Sequence, residues 1–173
     1  SLTAETVYEV ASIPSPGSAP GQSALFGSKI LLDGATLFVS SPQYSPSDNS
    51  TTNSGIVTVY KKITTGWNKT QVLIPEDPTT NMFFGSQLSI AKGGNTLAIH
   101  ALYNDYFESS SSGKKREGVV YIFEKSDSNE AWVQQQKIIS PNASDFDRFG
   151  TSVSFEGNYL VIGAPGDGTP PTN

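Results

Sequence analysis

Chemistry in a protein is carried by a few residue types at particular spacings, and this chain holds few of them. His100 is the only histidine and there is no cysteine, so no second imidazole and no thiolate is available for a catalytic or metal-binding arrangement. No Gly-x-Ser-x-Gly elbow, His-Glu-x-x-His pair or phosphate-cradling glycine loop occurs. Asp145 and Asp147 form a close carboxylate pair, but they stand just before a Phe-Gly turn, where capping explains them. The richest chemistry lies in two polar stretches, 42–54 and 102–117. They contain Tyr44, Asp48, Tyr103, Asp105, Tyr106 and Glu108, with Asn104 and Phe107 beside them. Aromatic rings next to acidic and amide groups could hold a sugar or a cation, although the same composition also describes a solvated, variable loop. The run 109–116 ends in Gly113-Lys114-Lys115-Arg116, a basic cluster too small for a heparin-like site.

Charge and composition narrow the partners. The net charge of -5 argues against sequence-independent nucleic-acid binding, which needs Lys and Arg to neutralise phosphates, and against an anionic membrane surface. No apolar run approaches the length of a spanning helix, so no membrane insertion is expected of this segment. Charged residues make up only 16% of the chain, below the roughly 25% of an average soluble domain. Ser, Thr, Gly and Pro take their place, a bias that suits many short strands and turns.

The elements that must position these loops come from an internal repeat. Phe26-Gly27-Ser28, Phe84-Gly85-Ser86 and Phe149-Gly150-Thr151 open three similar units, about 58 and 65 residues apart. Each continues through a glycine turn into an apolar strand: Leu37 to Pro42, Leu97 to Leu102 and Leu160 to Pro165. Asp33-Gly34 reads as a type I′ hairpin, and the second unit has two extra residues at the corresponding turn. A further pair of strands follows in two units. Gly55 to Lys62 matches Gly118 to Lys125, Trp67 matches Trp132, and Gln71 to Pro75 matches the strand from Gln136. Four short strands per unit, in the same order twice, predict an all-β fold of antiparallel β-propeller blades forming an incomplete ring. The predicted divisions are 1–25, the last strand of a preceding blade with a linker; 26–83 and 84–148, two blades; and 149–173, the first half of another. The chain is thus expected to begin and end inside blades, with the ring completed by further sequence or by copies of itself.

The run from Phe149-Gly150-Thr151 to Gly163-Ala164-Pro165 resembles an FG-GAP repeat, the blade motif of integrin α-subunit propellers and many microbial and protist surface proteins. The first unit has Ser40-Ser41-Pro42 and the second His100-Ala101-Leu102 where the motif reads Gly-Ala-Pro, and a structural role is expected for His100. Integrin-type blades often bind calcium through an Asp-rich loop between their first two strands. The turns here, Asp33-Gly34, Lys92 to Asn95 and Glu156 to Asn158, offer too few carboxylates for a six- to eight-oxygen site. Calcium sites of that type, and cofactors generally, are expected to be absent.

Three sequons, at Asn49, Asn68 and Asn142, are candidate glycosylation sites and are predicted to lie in loops or strand-end turns. With the Ser-Pro pairs and Pro-rich stretches they suggest a glycosylated extracellular or cell-surface protein. The resemblance and the missing catalytic set together point to a non-enzymatic module for adhesion, ligand binding or assembly into a surface structure or filament. Its expected partners are protein surfaces or glycans, including copies of itself. An accessory propeller of a larger secreted hydrolase or lipase is the alternative.

Overall fold

The computed structural model describes residues 12–15, 24–48, 50–102, 118–141 and 147–168. Ten antiparallel strands and no helix make up this part of the chain. They are β1 (Ile30–Asp33), β2 (Thr36–Ser41), β3 (Ile56–Ile63), β4 (Gly66–Leu73), β5 (Phe84–Ile90), β6 (Thr96–Ala101), β7 (Val119–Lys125), β8 (Trp132–Ile138), β9 (Ser152–Glu156) and β10 (Tyr159–Gly163). β1 to β4 form one four-stranded sheet in sequence order, β5 to β8 a second, and β9 and β10 a two-stranded third. These sheets are two blades and half of another, not closed into a barrel. Among the described residues no helix is long and apolar enough to cross a membrane. Of the stretch read as a preceding blade's last strand, only 12–15 are described, and they form no strand.

The first strands β1, β5 and β9 lie side by side, so the blades stack face against face. Strand alternation decides which blade each side chain meets. On β2, Phe38 points forward into the core shared with blade 2, while Leu37 and Val39 point back. On β6, Leu97 and Ile99 point back into that same core, and Ala98 points forward to the third sheet. The first interface is built of large rings: Phe38 of blade 1 meets Trp132 of blade 2 edge-on at 5.2 Å, beside Phe84 and Tyr121 of blade 2, whose rings pack at 5.7 Å. The second is smaller, with Ala98, Val120 and Ile122 against Val153, Phe155, Leu160 and Ile162.

The hairpin turns differ from the sequence expectation. Asp33 pairs with Thr36 and Glu156 with Tyr159, so the central residues are Gly34-Ala35 and Gly157-Asn158. Only the glycine of each pair has positive φ, 53° and 57°. That is the φ pattern of a type II′ turn, with glycine at the first central position, rather than I′. The two extra residues in blade 2 widen its turn, where Ala91 N–H reaches the Thr96 carbonyl.

A second repeated device was not visible in the sequence. The residue before each Phe-Gly adopts left-handed backbone: Leu25 (φ 50°), Phe83 (φ 52°) and Arg148 (φ 56°). Such a conformation costs a bulky residue roughly 1 kcal/mol or more, so local bonds must hold it. Ser28 N–H donates to the Leu25 carbonyl, the Ser86 hydroxyl to that of Phe83, and both the N–H and hydroxyl of Thr151 to that of Arg148. The hydroxyl of the residue after Phe-Gly thus has a role at Ser86 and Thr151.

Candidate ligand-binding surfaces

The 42–54 stretch leaves blade 1 between β2 and β3, and most of it serves the framework. Tyr44 is half-buried and fixed through its backbone, donating to the Ser41 carbonyl and accepting from Gly55 N–H. Ser45 is buried, and its hydroxyl accepts from Asn53 N–H. The loop's end then runs beside the segment entering blade 2. Asn81, Phe83 and Phe84 N–H groups donate to the carbonyls of Thr52, Asn53 and Ser54, and the Asn53 and Asn81 amides bond at 3.1 Å. Asp48 sits exposed at the tip, where its carboxylate accepts from Ser50 N–H at 2.9 Å. That bond holds its pKa below the ordinary carboxylate value. Asp48 is therefore an exposed acid in an Asx turn, and Tyr44 holds a half-buried ring on an anchored backbone. Tyr103, Asp105, Tyr106 and Glu108, and the sequon residues Asn49 and Asn142, lie outside the described residues.

Asn68 is placed differently from the expected loop or turn. It is exposed on β4, the outermost strand of blade 1, opposite Lys61. The register slips beside it, between Val59 and Tyr60, and the Thr70 hydroxyl of the sequon donates to the Val59 carbonyl at 3.3 Å. Blade 2 has the same bulge at the matching place, between Ile122 and Phe123. A bulge re-aims the side chains that follow it, and here it precedes Gln71. The Gln71 amide donates to the Trp132 carbonyl at 2.7 Å and accepts from Trp132 N–H at 2.8 Å, clasping the outer strands of two blades.

A groove of about 400 Å³ opens beside β4, lined by Ile13, Tyr60, Thr65, Trp67 and Lys69 among others. The Lys62 ammonium lies over the Trp67 ring at 5.2 Å. Burial raises the pKa of the Tyr60 phenol. Sequence reasoning did not find this groove, although the repeated Trp was its signal. Trp67 matches Trp132, which is buried against blade 1, whereas Trp67 is only half-buried against Tyr60 and Ile13.

The titratable groups elsewhere are structural in their surroundings. Asp77, between β4 and β5, accepts from the Tyr121 hydroxyl at 2.9 Å and from Lys137 Nζ at 2.5 Å. Partial burial pushes its pKa up, but the Lys137 and Tyr121 bonds and the Lys137 charge outweigh this and hold it low. His100 is 2% exposed on β6, and neither ring nitrogen has a hydrogen bond. Burial lowers its pKa to about 4, with the Phe149 carbonyl pulling the other way. Its ring lies where a Cβ on Gly150 would fall. Among the described residues no three His, Asp or Glu side chains gather as metal ligands.

These contacts give the repeated motif a physical content. Within a blade, the N–H of the Phe-Gly glycine bonds the carbonyl at the first position of the Gly-Ala-Pro segment: Gly27 to Ser40 and Gly150 to Gly163, each at 2.9 Å. Between blades, that glycine leaves room for the preceding blade's residue at the same segment position, Ser40 against Gly85 and His100 against Gly150. Gly55 and Gly118 in turn admit the backbones of Phe84 and Phe149. Residues 132–173, from β8 through the third sheet, match the family model of the FG-GAP repeat. No curated protein matches the chain. Residues 132–173 thus carry an FG-GAP repeat, and the turns, strand order and glycine contacts of that stretch recur in the other blades.

Proposed function

We propose that the chain is a non-enzymatic extracellular β-propeller module for adhesion, ligand binding or assembly into a surface structure or filament. The observation that carries this reading is the placement of His100. The one imidazole of the chain is sealed between two blades and uncharged, where no substrate can reach it for proton transfer. The exposed polar chemistry instead lies on surfaces suited to contact: the Asp48 tip, the outer face of β4 with Asn68, and the aromatic groove at Trp67. FG-GAP repeats are common in extracellular proteins, which supports the location. The test is an antibody against the exposed β4 face applied to intact source cells, with mass analysis of the peptide carrying Asn68. Surface labelling and a glycan mass are expected. Labelling only after permeabilisation, with an unshifted peptide, would remove the extracellular reading.

A further inference from the structure

The sequon Asn68-Lys69-Thr70 lies inside a strand, and the strand is irregular at that point. Asn68 pairs with Lys61 and Lys69 with Tyr60, but Gln71 pairs with Val59, so Thr70 is the extra residue of the bulge. Its hydroxyl turns onto the sheet and donates to the Val59 carbonyl at 3.3 Å. Asn68, just before the bulge, is exposed. It shares a face with Lys61, whose ammonium reaches Glu130 of blade 2 at 3.6 Å. Asn68 is therefore exposed on a face whose neighbouring blade is present in this chain.

N-glycosylation asks more of a sequon than an exposed asparagine. The amide nitrogen attacks the anomeric carbon of an oligosaccharide carried on a lipid diphosphate. The bond from that carbon to the phosphate oxygen breaks, an N-glycosidic bond forms, the amide gives up one proton and the lipid diphosphate leaves. The transferring enzyme must hold the amide and the hydroxyl two residues on together, on backbone free of other pairing, which is why sequons are sought in loops. In a regular strand, residues two apart at least share a face. The bulge on β4 removes even that: Asn68 and Lys69 stay in register with β3 while the Thr70 hydroxyl is bonded to Val59.

We propose that Asn68 takes its glycan before the β3–β4 hairpin closes, and that closure withdraws the sequon from the enzyme. This rests on the extracellular reading above and gives that site a timing. Only Thr64 and Thr65 join the two strands, yet an isolated hairpin is marginal in water. Lasting closure therefore waits for the blade to pack, and until then the strand is open to the enzyme. A glycan already attached stands on an exposed side chain of the outermost strand, so the finished blade accommodates it.

The test is transfer by oligosaccharyltransferase, from a lipid-linked oligosaccharide, to the purified unglycosylated chain. One sample is folded. The other carries Val59→Pro, which places a proline in a central strand and keeps the hairpin open. Digestion and mass analysis of the peptide carrying Asn68 give the occupancy. Transfer through transient opening follows the open population, so occupancy in Val59→Pro should exceed that in the folded chain by about tenfold or more. Asn68→Gln in the Val59→Pro background should abolish the product. Equal occupancy in the folded and open chains would overturn the proposal. So would failure of the open chain to accept sugar while a free acceptor peptide beside it is modified. Labelling of intact cells reads location and is untouched by either result, so the two readings fail separately.

Discussion

Blade 1 meets blade 2 through large rings overlaid by polar clasps, whereas blade 2 meets the third sheet through a mainly aliphatic cluster with Phe149 and Phe155 and a buried histidine. The first contact has Phe38 on Trp132, the Gln71 amide on the Trp132 backbone, and Asp77 bound to Tyr121 and Lys137. The second has Ala98, Val120 and Ile122 with His100 wedged at Gly150, and one side-chain bond from Phe155 N–H to the Ser89 hydroxyl. The backbone scheme is common to both, so it leaves the filling free to vary. Stability at the first contact comes from buried ring area and directional bonds. At the second it comes from a smaller apolar cluster, with a buried basic group beside it.

The largest expected effect separates two residues at one repeat position. Trp132→Ala removes a buried ring from the first contact and should cost about 3–5 kcal/mol. Trp67→Ala, half-buried and outside that contact, should cost much less. Denaturant unfolding of the two variants measures the gap; equal losses would mean that the first contact is not the main store of stability.

The next effect belongs to the second contact and to pH. His100 has a folded pKa of about 4 against 6.5 in an unfolded chain. The unfolded state therefore takes up a proton in this window while the folded state does not, and stability falls as pH drops from about 6.5 towards 4. The contribution reaches at most ~3 kcal/mol. His100→Ser, which copies the residue at this position in blade 1, should flatten the slope in that window. An unchanged slope would place the acid sensitivity elsewhere.

The smallest of the three concerns the clasp. Gln71→Ala removes both bonds to the Trp132 backbone and should cost about 1–2 kcal/mol. Hydrogen exchange at Trp132 N–H, which Gln71 protects, should quicken far more than exchange at the centre of β6. No change at Trp132 would show the amide pair to be idle.

Much of the architecture was readable because its signals are residue types. Phe-Gly, paired apolar strands and the recurring Trp mark positions that only certain side chains fill, and four strands in repeated order give the blade. The left-handed turn residues were not readable, because Leu25, Phe83 and Arg148 share no chemistry; the fold imposes their conformation through bonds to the residues after Phe-Gly. The aligned Gln71 and Gln136 were visible as a repeat, but the clasp depends on a bulge, which leaves no mark on residue type. Of the candidate binding residues, Tyr44 shows what residue type alone leaves out: its backbone is anchored on both sides by Ser41 and Gly55, a contact that carries no mark in the sequence.

One consequence follows from the glycines at the blade junctions. The space beside Gly85 is occupied by Ser40, and that beside Gly150 by His100, so each junction is shared between residues of two different blades. A blade cut from this chain and inserted elsewhere would carry only half of each junction with it. Recombination or design by swapping blades should therefore exchange units that run from the middle of one blade to the middle of the next, keeping each glycine with the side chain that fills its space.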